Sequence, residues 1–213
     1  MAWRGLGVAA LLAALGVGVG VVVGMGLRPS VSAIDEARPL PAESPAVPID
    51  PPPKVVPDPP KPPTLRPGLP TREVTVGGRA FGVTVPVPST WARFDIGAAE
   101  ARWTLPGNPP HSFSVRVEMV GSERNTVVEM MSERSEDLDG LPDFTILEST
   151  DDTLVFSYID ETRHRRLQLL RWLDLRTPGS AEVELAVVGR VRDQAGLEDL
   201  LAVVTEGARI PSS

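Results

Sequence analysis

The chain has 213 residues, a formal net charge of −7 and no cysteine. That length admits one ordinary domain with appendages. The acidic balance argues against nucleic acid, whose binding rests on neutralising phosphates. The missing cysteine excludes disulfides, a thiolate zinc site, a catalytic thiol and the lipid-attachment cysteine of a bacterial lipoprotein.

Residues 6–27 form an apolar run of 22 positions without a charged or polar side chain. As a helix it covers roughly 33 Å, enough for the hydrocarbon core of a bilayer. Arg4 precedes the run, so the positive-inside tendency predicts a cytoplasmic start, a single-pass anchor over residues 1–28 and an exported remainder. Val31-Ser32-Ala33 resembles a small-residue cleavage site, which leaves a secreted protein cut near Ala33 as the alternative. Length favours the uncleaved anchor, because the apolar region of a signal runs only about 7–15 residues. Gly16, Gly20 and Gly24 stand four apart on one helical face, the spacing that lets helices approach closely in lipid, so weak self-association is an expectation.

From residue 29 the composition changes. Fifteen of the 23 prolines fall between Pro29 and Pro70. Proline lacks a backbone donor and fixes φ, so residues 29–71 are predicted to be an extended, disordered linker, partly polyproline II and not packed. Both lysines, Lys54 and Lys61, lie in it. A PxxP element there could be a ligand for an aromatic-lined groove; a plain stalk is the simpler reading.

Residues 72–213 read as the folded domain. Val74 and Val76 alternate, Gly77-Gly78 signals a hairpin turn, and Phe81, Val83 and Val85 alternate again until Pro86 and Pro88 end the strand. Residues 101–105 make a short strand. In 112–120, Phe113, Val115, Val117 and Met119 share one face, with Ser114, Arg116 and Glu118 on the other. A helix follows, opened by the capping-box pair Thr126 and Glu129. Val127, Met130, Met131 and Leu138 form its apolar face, Glu133, Arg134, Glu136 and Asp137 its wet face, and Gly140 and Pro142 stop it. Strands are then expected at 144–149, 154–159 and 167–175, the last apolar on both faces and therefore covered on both. After a Pro178-Gly179 turn, Val183, Leu185 and Val187 alternate with Glu182, Glu184 and Ala186. Leu197, Leu200, Leu201 and Val204 define a closing helix, with Gly207 just past its end. Strands, helix, four strands and helix argue for an α+β domain with an antiparallel sheet and two helices.

The stretch 83–91, VTVPVPSTW, is a strand running into a proline-rich turn and a tryptophan. It resembles the opening of the mycobacterial LpqN-type domain. The onward spacing, through 112–120, the Met130-Met131 helix and the strands of 144–175, is similar to that family and to the secreted proline-rich antigen related to it. The resemblance covers about residues 74–210. It implies a PsbP-like α/β sandwich and an exported cell-envelope protein, and brings no catalytic residues with it. The chain departs from the family's lipoproteins in lacking their cysteine, which an uncleaved helix would replace.

Chemistry is sparse. The two histidines, His111 and His164, are 53 positions apart and read as exposed loop residues. Asp137-Leu138-Asp139-Gly140 looks like a piece of a calcium loop but lacks the later ligands. No nucleophile elbow, phosphate loop or dinucleotide fingerprint is present, and no metal or cofactor is implied. Arg163, Arg165 and Arg166 make a basic cluster at a hairpin tip, a candidate surface contact for an anionic polymer or headgroup, set against a solvated turn offset by Asp160 and Glu161. Trp91, Trp103 and Trp172 read as core rather than as a pocket. The expected function is a membrane-anchored extracytoplasmic binding or adaptor module without catalysis, its partner an envelope protein or anionic polymer. The alternative is an envelope hydrolase whose site the sequence does not disclose. A concave pocket with convergent polar groups and a perturbed carboxylate would favour the enzyme.

Overall fold

A computed structural model describes residues 53–61, 64–78, 81–107, 113–121 and 124–211. All lie in one compact unit, Pro51–Ser213. The apolar run with Gly16, Gly20 and Gly24, proline-rich residues 29–52, and His111 lie outside the described residues.

Strands β1 (Thr71–Val76) and β2 (Val83–Pro88) pair as an antiparallel ribbon. The remaining strands are β3 (Ala92–Asp95), β4 (Glu100–Thr104), β5 (Ser114–Met119), β6 (Thr145–Ser149), β7 (Thr153–Ile159), β8 (Arg165–Leu173) and β9 (Val183–Arg190). They form a seven-stranded antiparallel sheet in the order β3-β4-β5-β9-β8-β7-β6. Two helices, α1 (Val127–Leu138) and α2 (Gln194–Glu206), complete an α+β fold among the described residues.

Period-two alternation divides the side chains of this sheet between two cores. On one face Val115, Val117, Leu167, Leu169, Val183, Leu185 and Val187 meet Val83, Val85 and Val87 of the ribbon. Leu197, Leu200, Leu201 and Val204 of α2 close the same core, the stripe expected from their spacing. Burying each such leucine is worth about 1.5–3 kcal/mol. Gly189 makes this approach possible, since a Cβ there would stand 2.7 Å from Leu197 Cδ2. On the other face Met130 of α1 packs on Leu154, Phe156, Leu170, Trp172 and Ala186, with Val127, Met131 and Leu138 partly buried beside it. The Thr126–Glu129 capping box is formed in both directions. β8 is covered on both faces, as its sequence predicts, but β9 holds the middle of the sheet.

Several local expectations are corrected. Pro86 and Pro88 do not end β2 but belong to it. The N–H of Thr84 donates away from β1, to the Arg209 carbonyl. Alternation puts positions 86 and 88 on that same outer edge, where proline forfeits no ladder bond. Phe81 stands outside β2 and is 77% exposed. β3 was not expected, because its mostly exposed side chains give no alternating apolar signal. Arg134, assigned to the wet face of its helix, is instead half-buried and bonded across to Glu184 of β9, which is fully buried.

The end of the proline-rich stretch also departs from expectation. Residues 53–61 and 64–70 lack regular structure, as proline dictates, yet they form a strap bound to the domain. The Val56 N–H donates to the Arg163 carbonyl at 2.7 Å, and Arg192 Nη2 donates to the Pro59 carbonyl at 2.8 Å. The Leu65 and Gly68 N–H groups donate to Asp193 and Asp199, each at 2.8 Å. The Leu65 side chain enters the first core. The positions between the prolines supply the donors and the apolar side chain that proline cannot.

Candidate functional site

A 12-residue helix such as α1 is about 18 Å long and about 10–12 Å wide. Seven strands about 4.8 Å apart span about 29 Å, so one helix leaves part of that face uncovered. The uncovered part is a cavity of about 410 Å³.

Register brings its polar groups together. Thr104, Ser114, Val188 and Gln168 lie directly opposite one another across β4, β5, β9 and β8. One row along, Arg102 lies opposite Arg116, which lies opposite Ala186. Ile159 and Tyr158 at the end of β7, Leu141 and Pro142 from the segment after α1, and Asp160, Glu161 and Thr162 from the turn after β7 build the remaining walls. No described residue hydrogen-bonds the side chains of Ser114, Tyr158 or Gln168.

Like charges placed directly opposite in an antiparallel pair repel, and the two arginines are treated very differently. Arg116 is surrounded by acid. It bonds Glu118 at 2.7 Å, reaches Glu100 at 3.4 Å, and bonds the fully buried Glu184, which also holds Arg134 at 2.8 Å. Arg102 has no ion-pair or hydrogen-bond partner among the described residues, and its Nε is buried without one. A buried donor left unmade costs about 1–3 kcal/mol, and more when charged.

Of the acids on the cavity wall, Asp160 is committed, whereas Glu161 has no partner among the described residues. Burial pushes the Asp160 carboxyl up, but the Thr162 hydroxyl, the His164 N–H and the Arg166 guanidinium outweigh it and hold the group below its ordinary value. Burial, the larger effect, raises the Glu118 carboxyl above its ordinary value against the pull of Arg116. Glu118 does not line the cavity. Burial, reinforced by the charge of Asp160, raises the Tyr158 phenol, which therefore stays neutral.

A second cavity of about 680 Å³ lies by Phe81, Met119 and Glu182. Its buried-side cation, Arg176, is bound to Glu182 at 3.1 Å and to the Gly82 carbonyl at 2.9 Å.

The basic cluster expected at the hairpin tip is dispersed. Arg166 is buried between Asp160 at 2.7 Å and Asp58 of the strap at 2.8 Å, so it is no surface contact. Arg165 pairs with Asp143, and Arg163 takes a left-handed turn conformation with φ 65°. His164 is half-buried rather than exposed, its Nδ1 2.9 Å from the Val56 carbonyl oxygen. Trp91, Trp103 and Trp172 are core residues. Asp139 caps α1, and no group of three His, Asp or Glu side chains suited to a metal occurs among the described residues. No described helix is long and apolar enough to cross a membrane.

Arg102, Ser114, Tyr158 and Gln168 were not singled out by sequence. The one legible signal was Gln168, a polar residue inside the apolar run of β8.

Among solved structures the chain is similar to the crystal structure of LpqN, involved in cell envelope biogenesis of Mycobacterium tuberculosis, at 17% identity and a TM-score of 0.41, covering 65% of this chain and 90% of that one. No family model matches the sequence. No curated protein matches it significantly.

Proposed function

We propose that the chain is a membrane-tethered binding or adaptor module whose domain works outside the cytoplasm, in the cell envelope, and performs no catalysis. The observation that carries the binding part is the cavity on the open face of the sheet, where an arginine without a partner sits among apolar walls. Such a mixture of apolar lining and a few unpaired polar groups is what small-ligand sites share. The apolar run of residues 6–27 supports the tether, and the LpqN-type sequence resemblance supports the envelope and a PsbP-like sandwich. A hydrolase would draw on Glu118, whose carboxyl is raised, but that group is bonded to Arg116 and lies outside the cavity lining.

The test is a phosphatase reporter fused after Ser213 in cells making the whole chain. Activity confined to the exported, membrane-bound fraction is expected. Cytoplasmic activity would overturn the topology, and release of a chain beginning near Ile34 would replace the tether by secretion.

A further inference from the structure

We propose that the cavity beside α1 is a binding site for a small monocarboxylate with an apolar body, its carboxylate held by Arg102. The inference rests on the reading of the domain as a binding module and assigns that module a ligand class.

Three observations lead to it. The first is charge. Across the β4–β5 ladder two guanidiniums face each other, one with three carboxylates around it and the other with none among the described residues. A sheet that places like charges opposite each other and neutralises only one leaves an anion's place open. A carboxylate matches the planar fork of a guanidinium, and a charge-assisted pair of this kind is among the stronger polar contacts.

The second is what surrounds that place. Ser114 is the diagonal neighbour of Arg102 on the adjacent strand. Ser114, Tyr158 and Gln168 bring hydroxyl and amide groups that no described residue occupies. Beyond them the walls are Leu141, Pro142, Ile159 and Val188, which an aliphatic or aromatic body can cover.

The third fixes the charge of the ligand. The far wall carries Asp160, held ionised by its hydrogen bonds, and Glu161. Asp160 is already paired with Arg166, so the one cavity cation without a partner among the described residues matches a single negative charge, and Glu161 on the same wall repels the second charge of a dianion such as a phosphate monoester. About 410 Å³ falls at the lower end of the roughly 300–1,000 Å³ of small-ligand sites, which selects a compact body.

The experiment uses the full chain in lipid nanodiscs, titrated calorimetrically with octanoate, octanol and octyl phosphate, with empty nanodiscs subtracted. Octanoate should bind saturably at one site. Octanol, with the same apolar body and no charge, should bind about tenfold more weakly or worse, as should octyl phosphate. Arg102→Gln should weaken octanoate by about tenfold or more and leave octanol unchanged. Ser114→Asp, which supplies the missing anion from within the protein, should do the same while raising the melting temperature of the unliganded chain. This second variant decides the matter if Arg102→Gln does not fold. Failure of octanoate to bind, equal binding of octanol, tighter binding of octyl phosphate, or undiminished binding by a folded Arg102→Gln or Ser114→Asp chain would each overturn the assignment. The topology reporter is independent of this titration, so a cytoplasmic domain that binds octanoate and an exported one that does not are told apart.

Discussion

Gly196 offers a test in which the sign of the effect decides. It is the third residue of α2, where alanine is intrinsically better than glycine by about 0.8–1.0 kcal/mol. A Cβ at this position would stand 2.5 Å from the Leu65 carbonyl oxygen and 2.8 Å from its carbonyl carbon. The strap backbone must then retreat. Retreat endangers the burial of the Leu65 side chain, worth about 1.5–3 kcal/mol. It also endangers the N–H bond to the Asp193 carboxylate, worth about 1.5–3 kcal/mol as a bond to a charged group. Loss of about half of that total, less the helix gain, gives a net destabilisation of about 0.5–2 kcal/mol. For a unit of this size that lowers Tm by roughly 2–6 °C. The assay is thermal unfolding of fragment 51–213 followed by tryptophan fluorescence, since Trp91, Trp103 and Trp172 are all buried in it. The same substitution in fragment 72–213, which has no Leu65, should raise Tm by a few degrees through propensity alone. A rise in both fragments would show that the strap does not press on α2.

The apolar stripe of α2 predicts that Leu200→Ala costs about 2–5 kcal/mol, while Glu198→Ala, on the exposed face of the same helix, costs under about 0.5 kcal/mol. Equal small shifts in denaturant midpoint would mean that the helix awaits a partner instead of packing on the sheet. Asp160 carries a pH signature. Because its folded pKa is depressed, its stabilisation is complete above the ordinary aspartate value near about 3.9 and is lost as pH falls through the lower folded value. Asp160→Asn should therefore destabilise the domain at pH 7, with the difference from the parent shrinking as pH falls below about 4. A difference that does not shrink at all as pH falls below about 4 would refute the role given to this carboxylate.

The fold was legible where one physical demand dominated. The α2 stripe, the Phe113–Met119 face and the capping box at Thr126 each follow from local periodicity or a local bond, and each forms as read. What escaped was non-local. Glu184 looks like an outward residue of an alternating strand, and only the arrival of Arg116 and Arg134 from two other elements lets it be buried. The strap escaped because proline content reports what a segment cannot do by itself, whereas Leu65 and the amides between the prolines bond groups more than a hundred positions away. The cavity escaped for a related reason. Arg102 and Arg116 become neighbours only through register, and the open face exists because one short helix is asked to cover a broad sheet.

The strap also sets how the domain carries mechanical load. A pull entering from the N-terminal side reaches Val56 first, then Asp58 and Pro59, then Leu65 and Gly68, in the order in which they bond the domain. This is a peeling geometry, in which the bonds open one at a time rather than sharing the force. Releasing the chain from Val56 to Gly68 pays out about 40 Å at the length of an extended backbone. The antiparallel ladders feel tension only after that slack is spent. The strap is thus an extensible spring in series with the sheet, yielding before the antiparallel ladders are strained, with Leu65 the one core side chain that leaves with it.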